Sequence, residues 1–215
     1  GKLLRKSLHF ARGFKVDRWQ HQPYRPIVIV EKDAVANIVE RACSPLDVSW
    51  TTSRGYGSAS SIWNLAQRLA EHARVLEDLT GNTQKQVVIF LSDHDPSGID
   101  LARDADDRLA LFLEREGYKA IFRRIALTRE QIDQYNPPPN PAKLSDSRAP
   151  AYVKKHGTSS WELDAIEPQE MIDLIQLIIA EYRDVDLHDE RMQYETDEKD
   201  ALFAAIGFVK EYQGD

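Results

Sequence analysis

The sequence predicts an α/β protein of Rossmann-like type: a mainly parallel sheet of about four strands flanked by helices, with a helical extension at the C-terminus. Three observations carry this reading. The runs "PIVIV" at 26–30 and "VVIFL" at 87–91 are apolar throughout, as strands buried on both faces are. Stretches with a 3.6-residue apolar period lie between the strand-like runs. Alternation of the two element types implies βαβ units, which close right-handed onto one sheet.

The elements follow in order. Residues 1–25 are basic and aromatic (Phe10, Phe14, Trp19, Tyr24), with no clear period. The first strand, 26–30, stops at Glu31. Residues 33–42, "DAVANIVERA", suit a helix, and "LDVSW" at 46–50 is expected as the second strand. The loop "TTSRGYGSAS" holds Gly55 and Gly57. Residues 60–79 are helical in period through Ile62, Trp63, Leu65, Ala66 and Leu69. The third strand, 87–91, runs into "SDHDPSGI", and a helix over 97–116 follows. "YKAIFRRIAL" at 118–127 is expected as the fourth strand. Thr128, with Gln131 three residues on, has the pattern of a capping box and starts a short helix to 135. The proline-rich stretch 136–150 reads as a long loop. "WELDAI" at 161–166 reads as a fifth short strand or a turn. Helices are expected over 168–182 and 187–213.

Composition narrows the class. A chain of 215 residues can bury one good core, and 42% hydrophobic with 29% charged residues is the balance of a soluble globular protein. The single cysteine, Cys43, rules out an internal disulfide and a thiolate metal cluster, and fits a reducing, cytoplasmic location. The longest apolar run, "LIQLIIA" at 174–180, is far short of the roughly 20 residues of a membrane span, so no membrane partner is expected. The net charge of −7 argues against a simple nucleic-acid coat protein. Charge is uneven, however. Residues 1–25 carry seven bases and one acid, while 181–200 carry nine acids and three bases. The basic end suits phosphates; the alternative is that both ends are ordinary solvated surfaces. The chain starts at Gly1, as expected of a trimmed chain or a fragment, with 1–25 the remnant of a missing domain.

Ligands of open α/β sheets bind beyond the carboxyl ends of the strands. Glu31 ends the first strand, and Asp93 and Asp95 follow the third. Residues i and i+2 of an extended chain share a face, so Asp93 and Asp95 point the same way if the strand geometry persists through His94. Carboxylates this close repel, and a divalent cation relieves the repulsion. Mg²⁺ favours a few carboxylates, waters and substrate phosphates, which points to phosphoryl chemistry. An Asp before Pro and Gly is also ordinary turn chemistry.

"VIVEKDAV" at 28–35, "SRGYGSASSIWNLAQRL" at 53–69, "SDHDPSGIDL" at 92–101 and "WELDAIEP" at 161–168 resemble the Toprim domain. The closest likeness is to the Toprim region of type IIB topoisomerase A subunits and their meiotic double-strand-break relatives; OLD-type nucleases share the domain. The likeness covers roughly residues 26–182. It implies a Toprim core over 26–135, completed by 136–182, with 1–25 and a charged C-terminal helix over 183–215 outside it. It implies Glu31 as general acid/base, and Glu31, Asp93 and Asp95 at Mg²⁺, with Mn²⁺ as a substitute. Lys32, Arg54, Gly55 and Gly57 would face phosphate or DNA. Two departures stand out. Arg54 replaces the usual Lys, and His94 replaces a small residue between the acids; His94 is expected to point to the opposite face.

Further candidates come from the residues themselves. Glu162 and Asp164 suit an extra ligand, support for the metal's ligands, or a salt-bridged edge. Lys143, Asp146, Arg148, Lys154 and Lys155 form a basic segment that either closes over a nucleic-acid backbone or is a solvated loop. Trp63 and Trp161 are expected in the core. Topoisomerases of this branch carry a nucleophilic tyrosine on a winged-helix domain ahead of Toprim, and only about 25 residues precede the first strand. The expected function is therefore a metal-dependent nuclease or nickase acting on DNA with water as nucleophile. The alternative is a topoisomerase-like fragment or subunit that binds metal and DNA and needs a partner domain with the tyrosine. A homodimer or a partner subunit fits either. A haloacid-dehalogenase-type phosphatase is a third reading, disfavoured because its Asp-x-Asp lies on the first strand.

Overall fold

The computed structural model describes residues 2–52 and 59–212. Arg54, Gly55, Tyr56 and Gly57 lie outside the described residues. The chain forms two compact units, one of residues 23–182 and one of residues 1–22 with 183–215.

The larger unit is built on a parallel four-stranded sheet. Its strands are β1 (Tyr24–Val30), β2 (Ser49–Thr52), β3 (Lys85–Leu91) and β4 (Ala120–Ala126), in the order β2-β1-β3-β4. Side-chain alternation sorts the strands into two faces. Ile27, Ile29, Val88, Phe90, Ala120 and Phe122 share a core with helices α3 (Ala59–Thr80) and α4 (Pro96–Arg115). The opposite parity (Val28, Val30, Val87, Ile89, Leu91) is equally buried, so the sheet is covered on both faces. Helix α2 (Ala36–Cys43) packs on β1 and on α7 (Pro168–Ala180). The apolar runs of β1 and β3 are continuous for this reason: both faces of these central strands are covered rather than wet.

Several elements differ in extent from the sequence reading. A 3₁₀ turn at Ser44–Leu46 and a left-handed Asp47 delay the second strand to Ser49. Helix α5 (Arg129–Tyr135) carries the expected capping box from Thr128 and Gln131. The stretch expected as one loop contains β5 (Asn140–Pro141), which pairs antiparallel with β6 (Ser159–Ser160), and it leads into helix α6 (Ala149–His156). The basic segment is thus partly helical, because Tyr152 finds a buried hydrogen-bonding niche that anchors it. "WELDAI" forms one bridge, Trp161 with His94, followed by a 3₁₀ turn at Leu163–Ala165.

The smaller unit pairs helix α1 (Lys2–Gly13) with α8 (Val185–Tyr212). Sequence reading found no period in residues 1–25, yet the first half is helical. The oppositely charged ends meet here. Glu195, almost fully buried, accepts from Val16 N at 3.3 Å and pairs with Lys199 at 2.6 Å and Arg18 at 3.8 Å. Part of the terminal basic charge therefore serves internal pairing.

Candidate functional site

The central strands β1 and β3 are neighbours, with Val30 level with Leu91. Their ladder continues one step, through Glu31 N to Leu91 O at 2.9 Å. Glu31 is thereby set beside the start of the turn that holds the aspartates. Its Oε2 accepts from Asp93 N at 3.3 Å. Burial and then Asp93, with a smaller push from Asp95, raise the Glu31 pKa to about 7. One carboxylate at the end of β1 and two on the turn after β3 thus lie close enough to interact, in a partly buried corner.

Each aspartate has its own anchor. Asp93 Oδ1 accepts from Leu163 N at 2.7 Å, while burial raises its pKa. Asp95 is the N-cap of α4, its Oδ1 accepting from Gly98 N at 2.6 Å. The chain stays extended through His94, which exchanges backbone hydrogen bonds with Trp161 at 2.9 and 3.1 Å. Gly98 is a packing requirement: a Cβ there would lie 2.5 Å from Asp93 O and 3.0 Å from Glu31 Oε2. The sharp turn and the close carboxylates depend on that missing atom.

His94 sits apart from the carboxylates' hydrogen bonds, in an aromatic cluster. Its Nδ1 lies 3.0 Å from Tyr152 Oη, and its ring packs edge-on against His156 and Trp161. Burial and the neighbouring His156 push its pKa down to about 4. Trp161 is core, as expected, with Arg129 stacked over it at 5.2 Å. Trp63 packs edge-to-face on Phe112.

Lys32 meets Glu162 and Asp164 directly. Its Nζ is 2.5 Å from Glu162 Oε2, 3.0 Å from Asp164 Oδ1 and 4.0 Å from Asp93 Oδ2. The two acids therefore form an ion-paired edge with Lys32 beside the site. Burial alone would lower the Lys32 pKa, but the hydrogen bonds to Glu162 and Asp164 outweigh it and raise it. Arg148 pairs with Asp100 at 2.9 Å and Asp146 at 3.3 Å, and lines a groove of about 280 Å³ with Pro96, Ile99, Arg103, Tyr152 and Lys155. Tyr24 begins β1, so it lies at the far end from Glu31, roughly 20 Å away at strand rise.

Sequence reasoning missed Arg124 and Ser92. Arg124, on β4, reaches across to the turn, and Ser92 Oγ donates to Gly98 O at 3.0 Å. The available signal was the pair of arginines inside an otherwise apolar strand, "AIFRRIA".

The donor set, three carboxylates, is of the kind a hard divalent cation takes, and burial first, then the neighbouring acids, raises the pKa of Glu31 and Asp93. Among the described residues no three acidic, histidine or cysteine side chains are gathered into ligating positions as they stand. No family model, curated protein or solved structure matches the chain.

Proposed function

We propose that the protein is a Mg²⁺-dependent phosphoryl-transfer enzyme of Toprim type that cuts or nicks DNA. One observation carries this reading: Glu31 meets the Asp93 backbone at the carboxyl end of adjacent parallel strands, with Asp95 near enough to push on it, and the Glu31 pKa is raised to about 7. A carboxyl poised near neutrality can take a proton from an attacking water or return one to a leaving oxygen. Asp93 and Asp95, anchored by Leu163 N and Gly98 N, would hold the cation, which would supply Lewis-acid polarisation of the phosphodiester. Lys32 stands at the rim paired with Glu162 and Asp164, and Arg148, paired with Asp100 and Asp146, lines the groove beside α4; a phosphate backbone would have to compete with those acids for them.

Water is the nucleophile this reading favours. Among the described residues Tyr24 is remote. Tyr152 Oη is engaged with His94 O at 2.9 Å and Ser159 O at 2.8 Å, and burial pushes its pKa to about 12. The same facts keep a second reading in play, in which a partner domain brings the tyrosine. Supercoiled-plasmid nicking with Mg²⁺ or Mn²⁺ tests the first: Glu31→Gln and Asp93→Ala should each remove activity. Cleavage untouched by both variants sinks it. DNA binding that needs metal but never yields cleavage favours the partner-dependent form.

A further inference from the structure

The geometry points to Arg124 as the residue that positions the Asp93–Asp95 turn for cation and phosphate chemistry. This rests on the reading above and names a part of the site that the motifs do not contain. Arg124 shares its face of β4 with Phe122, whose ring stacks on Phe90 at 5.4 Å, so the guanidinium emerges from an apolar layer. A charge at that depth is costly unless its donors are satisfied. Two of its hydrogen bonds go to one turn, and the third closes on the residue after its own strand. Nε donates to Ser92 Oγ at 2.9 Å, and Nη2 donates to Asp93 O at 3.0 Å and to Leu127 O at 2.8 Å. Ser92 passes the link on to Gly98 O. One side chain thus ties the start of the turn, its first aspartate and the first turn of α4 to the neighbouring strand.

Two further features fit this role. The β3–β4 register slips between Phe90 and Leu91, opposite Arg124 and Ala126, leaving Ile125 as the extra residue. Such bulges re-aim side chains beside sites. The charge of Arg124 also falls within reach of Glu31, Asp95 and Asp93, so it reduces the repulsion among them while the cation is away. A lysine could keep that charge but not serve three separated acceptors, because the fork is what spans them.

The test compares Arg124→Lys with Arg123→Lys, a neighbour on the opposite face that pairs with Glu181. Three quantities are read on the full chain, at a temperature where circular dichroism shows it folded: amide exchange over 92–98, Mn²⁺ affinity by electron paramagnetic resonance, and plasmid nicking against Mg²⁺ concentration. For Arg124→Lys we expect exchange in 92–98 to rise about tenfold, Mn²⁺ affinity to fall about tenfold, and nicking at saturating Mg²⁺ to fall about 10–100-fold, the range for residues that support metal ligands. Arg123→Lys should leave all three within about twofold. Unchanged exchange in Arg124→Lys overturns the proposal. So does raised exchange with metal affinity and rate intact, which marks a merely structural role. If Arg124→Lys fails to fold, Ser92→Ala removes one link and should move the three readouts the same way by about threefold; no movement overturns the proposal. A wild-type chain that neither binds Mn²⁺ nor nicks overturns the functional reading instead. Exchange over 92–98 then decides the hold of Arg124 on the turn by itself.

Discussion

Glu31 is ionised at a cost. Its pKa of about 7 lies above the unfolded value of 4.5, mainly through burial and then through Asp93. A carboxyl raised in this way stabilises the fold below about 4.5, and that contribution is lost as pH rises through about 7. His94 runs the other way. Its pKa of about 4 lies below the ordinary 6.5, so its contribution is present above 6.5 and is lost as pH falls towards 4. Between 4.5 and 6.5 the two trends oppose each other. In EDTA, the melting temperature of Glu31→Gln should therefore rise from pH 4.5 to 6.5, while the wild type flattens or falls. Parallel curves for the two proteins would count against the buried Glu31 carboxyl. Adding Mg²⁺ at pH 8 should raise the wild-type melting temperature and leave that of Asp93→Ala unmoved.

At the scale of elements, the first turn of α4 does two jobs, and they can be separated. Asp95 caps the helix through Gly98 N and also faces the other carboxylates. Asn caps about as well as Asp, so Asp95→Asn should keep stability within about 0.5 kcal/mol by urea unfolding. It should nonetheless lose at least about 100-fold in Mg²⁺-dependent nicking, more than loss of a supporting residue costs. Gly98→Ala should behave differently. Its Cβ would press on Asp93 O, so we expect a cost of about 1–3 kcal/mol, as for overpacked cores, together with lost activity. A Gly98→Ala protein with wild-type stability would mean that the turn relaxes readily. Helix α6 matters to the same turn at a distance, because Tyr152 Oη bonds the backbone of His94.

At the scale of the molecule, the two units differ in kind. The larger has a sheet with its central strands buried on both faces, whereas α8 of the smaller is polar on most sides; its Glu195 pairs within the helix with Lys199 and takes contacts from Val16 N and Arg18. Cys43 reports on the larger unit. It is fully buried, and burial pushes its thiol to about 12. The native protein should resist aromatic disulfide reagents at pH 8, and labelling should appear only with guanidinium unfolding. Rapid labelling in native buffer would show that α2 opens independently of the sheet.

Continuous apolar runs, helical periods and the Thr128–Gln131 box are local properties, so α/β class, strand number and most helices were legible before any coordinates. The positions of Glu31, Asp93 and Asp95 were legible too, because a strand's last residue is a local feature and sheets present ligands at that end. Pairing was not local. That β1 lies beside β3, which brings the three acids together, depends on topology. Arg124 reaches the aspartate turn because β4 lies beside β3, and Lys32 meets acids 130 residues away where the Trp161 bridge to His94 carries the following turn to the strand ends. Helix α1 was legible and was overlooked, since its apolar residues gather strongly on one helical face; α6 has a weaker period and becomes a helix where packing supplies a partner, the His94 niche. The sequence by itself determined which groups stand at the strand ends; the tertiary structure decided what holds them there, because those anchors are contacts between segments far apart in the chain.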